Sequence, residues 1–360
     1  MQLKAVEMST DLARPIAAKP VSQNPSFAAL YNTFAAGPPL EQIPPLKTHN
    51  ALLGDPAALE AAWRTDGYWF FRDVLDKNAI ARMRHHYVEE LKQQGIVDPQ
   101  VDGLRNTQIF YNGGSLDRFS PTMEALKKID LWRSFVREPS IHGFFAALLG
   151  EEPFWFPSSN YRVTPPKKGA AAERFAGIHA DATPNPGVPF RICWIPLADI
   201  DDRIGGLVLA EGMTREMEEK NRQVIENDTA AIMNIREVPA ERWRRSDYHP
   251  GDLLMLNRFT PHCAVTNISD RFRLSLDIRV MGASEKNKPI VGEISAVSPG
   301  DITIRQADGD VRLKIDADTY ARNPHGDRFK GQALVEFYKP GTEVIVGRNG
   351  DTATLIRLPA

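Results

Sequence analysis

A chain of 360 residues has room for one large domain or two moderate ones. With 42% hydrophobic and 25% charged residues, it has the makeup of a folded protein with a substantial core. A net charge of −2 gives no bulk electrostatic reason to bind nucleic acid or an anionic membrane, and no run approaches the length of a membrane-crossing helix. Neither partner is expected. The first residues show no cationic stretch followed by an apolar one. Cys193 and Cys263 each sit in apolar surroundings, where buried, reduced thiols are expected. Together these features lead to the expectation of a soluble, cytoplasmic protein.

Residues 1–50 read as a proline-rich arm, with "ARPIAAKPVSQNP" and "GPPLEQIPPL" favouring extended chain. Regular structure begins at "GDPAALEAAWRTDG", where Asp55 can cap a helix that has Pro56 at its first position. "YWFFRDVL" reads as a strand. "DKNAIARMRHHYVEELKQQG" reads as an amphipathic helix capped by Asp76, with Ile80, Met83, Tyr87 and Leu91 as its core stripe. His85 and His86 fall off that stripe and read as ordinary surface or core-edge histidines. Residues 97–150 are predicted to be mostly helical.

The texture changes near residue 153. "PFWFPSSNYRV", "VPFRICWIPLA", "GGLVLAEG", "GDLLMLN", "CAVTNI" and "RFRLSLDIRV" are short strand-like stretches divided by Gly, Pro, Asn and Asp. Such a succession predicts an antiparallel sandwich or barrel. A charged interruption at 213–248 reads as a lid-like insertion or a solvated helix. Beyond residue 285, "DITIRQADGDVRLKI" and "EVIVGRNGDTATLIRL" contain hairpin turns. The expected fold is mainly β with flanking helices, divided into an arm (1–50), a β-rich domain with helical insertions (51–285) and a β-rich C-terminal extension (286–360).

One motif carries candidate chemistry. "GIHADATP" places His179 and Asp181 one residue apart, but short H-x-D matches arise by chance, and His325-x-Asp327 in "PHGDRF" is a second copy. Two histidines and one carboxylate on a metal leave positions open, which non-haem Fe(II) oxygenases require. No histidine follows His325. After Asp181, by contrast, the strand-rich stretch runs on to His262 in "HPGDLLMLNRFTPHCAVTNISDRFRLSL". On the next strand, Phe272, Leu274, Leu276, Ile278 and Val280 alternate with Arg271, Arg273, Ser275, Asp277 and Arg279. A polar row on a strand of a β-rich core either faces solvent or lines a pocket. In a pocket, Arg273 and Ser275 suit a carboxylate.

The ordered set of His179-x-Asp181, "GGLVLAEGMT", "PGDLLML", His262 and Arg273 resembles the phytanoyl-CoA dioxygenase family, in patches from about residue 55 to 282. "DGYWFFRDVLDKNAIARMR" resembles the family's opening strand and helix. The resemblance implies a double-stranded β-helix (a jelly roll, cupin-like) and Fe(II)- and 2-oxoglutarate-dependent oxygenase chemistry using O2. It implies Fe(II) on His179, Asp181 and His262, and Arg273 on the distal carboxylate of 2-oxoglutarate. Ser275 matches the arginine-x-serine pattern of related oxygenases. The chain departs from the family in "CAV" after the distal histidine and in "EGMT" after the Gly-Gly turn. Hydroxylation of an unactivated C–H bond is the implied default, on a specialised metabolite or an acyl thioester. Asp181 disfavours halogenation, because related halogenases lack that carboxylate.

Asn160 and Arg162 alternate onto one face of "SSNYRV" and are further candidates for contact with cosubstrate or substrate. Arg242, Arg244 and Arg245 are read as a solvated face, with an anionic substrate as the sharper alternative. Cys263, next to His262 on a strand, must face the opposite side and is rejected as a ligand. Two rival readings remain: a cupin-like metalloenzyme that does not use 2-oxoglutarate, and a silent jelly-roll binding protein. The extension reads as a homodimer contact or an active-site cover.

Overall fold

Short alternating stretches become strands here, and the helices gather ahead of most of them. The computed structural model describes residues 37–93, 121–166, 175, 178–182, 185–227, 232–233, 238–322 and 328–359. In chain order, α1 (Pro56–Thr65) leads into β1 (Tyr68–Phe71), and α2 (Lys77–Gln93), α3 (Pro121–Lys128), α4 (Leu131–Val136) and α5 (Pro139–Leu149) follow. Next come β2 (Pro153–Thr164), β3 (Ile178–His179), β4 (Arg191–Pro196) and β5 (Leu207–Ala210). Helix α6 (Thr214–Asn227) precedes β6 (Ile232–Met233), β7 (Trp243–Arg245), β8 (Leu253–Asn257), β9 (His262–Ala264) and β10 (Arg273–Gly282). The C-terminal strands are β11 (Ile290–Ser298), β12 (Asp301–Arg305), β13 (Val311–Lys314), β14 (Tyr320–Arg322), β15 (Arg328–Lys330), β16 (Glu343–Asn349) and β17 (Thr352–Arg357).

The helix signals act as read. Asp55 Oδ1 accepts from the Ala58 N–H at 3.0 Å, and Asp76 Oδ1 from the Asn78 N–H at 2.8 Å. Ile80, Met83, Tyr87 and Leu91 are all buried, each contributing about 1.5–3 kcal/mol of apolar burial. The first strand is shorter than "YWFFRDVL" because the chain turns at Asp73, whose φ is 54°; the N–H groups of Val74 and Leu75 then bond Gly251 O.

Two antiparallel five-stranded sheets carry the strands from β1 to β10, in the orders β1-β8-β4-β10-β2 and β6-β3-β9-β5-β7. Between them lies an apolar interior built from Tyr68, Phe70, Ile192, Trp194, Leu207 and Leu254, among others. The outer face of the first sheet packs on the helices through Phe272, Leu274, Leu276, Ile278 and Val280. On the outer face of the second sheet, Val208, Ala210 and Cys263 meet Leu40 and Ile43 of the arm and Met213 and Met217 at the start of α6. The charged interruption therefore opens with a helix that buries Met213 and Met217, and its later described residues supply β6 and β7. Residues 1–36 of the arm lie outside the described residues.

The third sheet, β13-β12-β11-β16-β17-β14-β15, has its own core but also lends Tyr320, Ile345 and Leu355 to the interior between the first two. Both expected hairpins, β12–β13 and β16–β17, are antiparallel. Among the described residues, no helix is long and apolar enough to cross a membrane.

Candidate metal centre

His179 on β3 stands directly opposite His262 on β9. Alternation decides which side chains face inward. Ile178, Ala180 and Cys263 belong to the outer cluster, so His179 and His262 point into the interior. Asp181 follows in the turn after β3, where Ala182 N–H bonds Arg258 O at 2.9 Å and Asn185 N–H bonds Ala182 O at 3.1 Å. One ligand atom from each of His179, Asp181 and His262 lies within 4.8 Å of the others, and all three residues are buried. His179 Nε2 is 3.6 Å from Asp181 Oδ1.

Two contacts prepare these donors. His262 Nδ1 lies 3.0 Å from Thr260 O. A carbonyl only accepts, so Nδ1 carries the proton and Nε2 keeps its lone pair for a metal. The second oxygen of Asp181, Oδ2, is 3.1 Å from Arg279 Nη2. Burial alone would raise the Asp181 pKa. The Arg279 charge, with His262 and His179, outweighs burial and brings the carboxyl down to about 2.

The polar row of β10 is buried, not solvated. Arg273, Ser275, Asp277 and Arg279 all face the interior, each less than a tenth exposed. Arg273 donates through Nη1 to Gly205 O and through Nη2 to Thr164 Oγ1 at 3.1 Å. Burial pushes its guanidinium down to about 10, still a cation at neutral pH. Among the described residues it makes no ion pair with a carboxylate, and Ser275 Oγ has no hydrogen-bond partner. On β2, Arg162 stands opposite Ser275, and Asn160 opposite Asp277. Arg162 Nε donates to Asp277 Oδ2 at 2.8 Å, so the partner of Asp277 on this wall is Arg162, not Arg273. The wall thus collects Arg273, Ser275, Asn160 and Arg162, the last already engaged by a carboxylate.

The remaining histidine, arginine and tryptophan side chains of note resolve simply. His85 and His86 are exposed on α2. His249 pairs with Asp199 on the surface at 2.9 Å. Trp194 is buried edge-on to Tyr248. Arg244 and Arg245 pair with Glu211 and Asp247, and exposed Arg242 reaches Glu211 O at 3.5 Å. His325 and Asp327 lie outside the described residues. The residue that sequence reasoning passed over is Arg279. Its signal was present, since it shares the alternating face of Arg273.

No protein-family model matches the chain. It is 29% identical over 251 residues to 1-deoxypentalenic acid 11-beta-hydroxylase of Streptomyces exfoliatus, covering 65% of this chain and 83% of that one. Identity to the Streptomyces arenae enzyme of the same name is 26% over 244 residues, with the same coverage. Among solved structures, it resembles the epimerase SnoN in complex with Fe3+, alpha ketoglutarate and nogalamycin RO. That match has 21% identity, a TM-score of 0.42, and covers 64% of this chain and 86% of the other. EctD from S. alaskensis with 2-oxoglutarate and 5-hydroxyectoine matches at 16% identity and TM-score 0.40, covering 71% and 86%.

Proposed function

We propose that this protein is a non-haem Fe(II)- and 2-oxoglutarate-dependent oxygenase of the phytanoyl-CoA dioxygenase type, built on a double-stranded β-helix, that hydroxylates a C–H bond of a small molecule. The observation that carries the reading is the buried guanidinium of Arg273. It is a cation with no carboxylate partner among the described residues, on an interior wall of the same sandwich that holds the His/Asp/His set. An unpaired buried charge is costly, and a dicarboxylate ligand offsets that cost. The donors also fit the metal. Two imidazoles and a carboxylate suit Fe(II), and they leave positions for a chelating cosubstrate and O2. The names of the two curated relatives support hydroxylation as the outcome.

In this reading, His179, Asp181 and His262 hold the iron, and Thr260 O fixes the His262 tautomer. Arg273 pairs with the distal carboxylate of 2-oxoglutarate, with Ser275 Oγ two residues along as a second donor. Gly205 O and Thr164 hold the guanidinium in place. Asn160 and Arg162 line the same wall beside cosubstrate or substrate. When bound, iron with 2-oxoglutarate and O2 supplies the oxidising chemistry, with succinate and CO2 as coproducts. The chain's own part is orientation and exclusion of water, for which the apolar interior is suited. The extension covers one side of this interior.

The test is an anaerobic titration of metal-free protein with Fe(II) and 2-oxoglutarate, followed by visible absorption. A weak charge-transfer band, lost in His179→Ala and weakened in Arg273→Ala, is the expected result. Iron-loaded, folded protein without the band would leave a metalloenzyme that does not use 2-oxoglutarate. Failure to take up metal would leave a binding protein.

A further inference from the structure

Asp181 is the least anchored member of the metal set. Its backbone lies in a turn past the end of β3, whereas both histidines sit on paired strands. A turn residue's carboxylate has rotamers to choose from, so something beyond the strand must fix it. Among the described residues, Arg279 is the group that hydrogen-bonds it.

We infer that Arg279 is a positioning residue, holding Asp181 by Oδ2 so that Oδ1 alone is presented to the metal. The inference rests on the metal reading above. Arg279 reaches the corner from β10, where it stands opposite Phe156 of β2 and Ile192 of β4. Its Nη2 bonds Asp181 Oδ2 at 3.1 Å and its Nη1 bonds Ser158 O at 3.0 Å. The guanidinium lies over the Phe190 ring, 5.6 Å from the centroid, and that ring stacks on Phe156. A planar fork gripping a backbone carbonyl with one nitrogen and a carboxylate with the other has little freedom left, and the single nitrogen of a lysine does not reproduce that two-nitrogen grip.

The chemical consequence concerns coordination number. A carboxylate free to bind through both oxygens takes two positions on a metal. With one lone pair of Oδ2 engaged by Arg279, Oδ1, the oxygen 3.6 Å from His179 Nε2, is the one better presented to ligate. One-oxygen ligation keeps a further position open for the cosubstrate and O2. The pair is also buried on both sides, with Arg279 7% and Asp181 9% exposed, so water does not screen it.

Mn(II) affinity of the full-length protein, followed by calorimetry, tests this without turnover. Arg279→Met is expected to weaken Mn(II) binding by about 10–100-fold, the usual effect of losing a partner that orients a metal ligand, and Arg279→Lys by less. Melting curves of the metal-free proteins show whether each variant folds. A rescue experiment separates positioning from a merely structural role. Asp181→Ala removes the carboxylate but leaves the arginine, so added formate should dock against Arg279 and restore much of the lost Mn(II) affinity. In Asp181→Ala/Arg279→Lys, formate should restore far less.

Two results would overturn the inference: folded Arg279→Met binding Mn(II) as the wild type does, or equal formate rescue with and without the arginine. If Arg279→Met does not fold, the rescue comparison in the lysine background decides. Wild-type protein that takes up no Mn(II) would sink the metal reading itself, a different and recognisable failure.

Discussion

His179 and His262 form a directly opposed cross-strand pair whose ring centroids are 4.5 Å apart. The pairing matters because β9 is bonded on both sides, to β3 and to β5, and its register cannot slip by one residue without turning His262 outward. Moving the imidazole one position should therefore not preserve the site. His262→Ala is expected to lower metal affinity by at least about 100-fold, roughly 2.7 kcal/mol. The double change His262→Ala/Cys263→His should not recover it, because position 263 faces the outer cluster. Cys263→Ser should leave metal affinity unchanged while lowering stability, since it buries a hydroxyl among apolar groups. A metal titration of the three proteins, with a denaturant melt of Cys263→Ser, checks all of this, and recovery in the double variant would refute the register argument.

The state of Asp181 sets a pH prediction. Its carboxyl is lowered from 3.8 to about 2 in the folded protein, so the ionised form is the favoured one. A depressed pKa contributes stability that is complete above the unfolded value and lost as pH falls through the folded one. For metal-free protein, the stability advantage of wild type over Asp181→Asn should hold steady above about pH 5. It should shrink between about pH 4 and pH 2, which denaturant melts at successive pH values would reveal. At pH 7 the carboxyl has no proton to give up, so metal binding should release none from Asp181. Equal proton release by wild type and Asp181→Asn, in calorimetry across two buffers, is the matching result.

Local rules made much of this legible. The period-2 row of β10 put Arg273 and Ser275 on one face, and the packing of the opposite row on the helices made that face the interior; the same rule set Cys263 apart from His262. Caps at Asp55 and Asp76 needed only neighbouring residues. What the sequence withheld were pairings across long separations. Arg279 and Asp181 are 98 residues apart, and Arg162 and Asp277 are 115 apart. Nothing local says which buried arginine meets which carboxylate. The partner of the extension was hidden for the same reason, because a hairpin's turn residues specify the hairpin and not the surface it covers.

Near position 47 the arm is tied down by two carboxylates, Asp66 at 2.9 Å from Lys47 Nζ and Glu211. Glu211 accepts from Tyr68 Oη at 2.9 Å and Arg244 Nη2 at 2.9 Å, and lies 3.2 Å from Lys47 Nζ. Removing it leaves the buried Tyr68 hydroxyl without its acceptor and Arg244 without this carboxylate, although Arg244 Nη1 keeps the carbonyls of Glu241 and Trp243. Glu211→Ala is expected to cost about 3 kcal/mol, measured by denaturant unfolding, and Glu211→Gln somewhat less. A cost below about 1 kcal/mol would mean the network behaves like an exposed ion pair.

The C-terminal strands present the last case. Leu355 and Ile345 lie within the interior cluster beside Phe156, Val188 and Phe190. Removing residues 286–360 would bare those rings, and the truncated chain is expected to aggregate or lose its sharp melting transition. Leu355→Ala should cost about 2–5 kcal/mol. The contact also reaches the metal corner. Arg357 Nη1 donates to Asn185 Oδ1 at 2.8 Å, Thr354 Oγ1 to Pro186 O at 3.3 Å, and Asn185 Nδ2 to Asp181 O at 3.5 Å. Arg357→Met should therefore weaken metal binding by a few-fold, roughly 1 kcal/mol, with little change in melting temperature, because it loosens the loop without opening a cavity. A truncated protein that stays monodisperse and keeps full metal affinity would show that the corner stands without this support, and that the extension serves something other than the site.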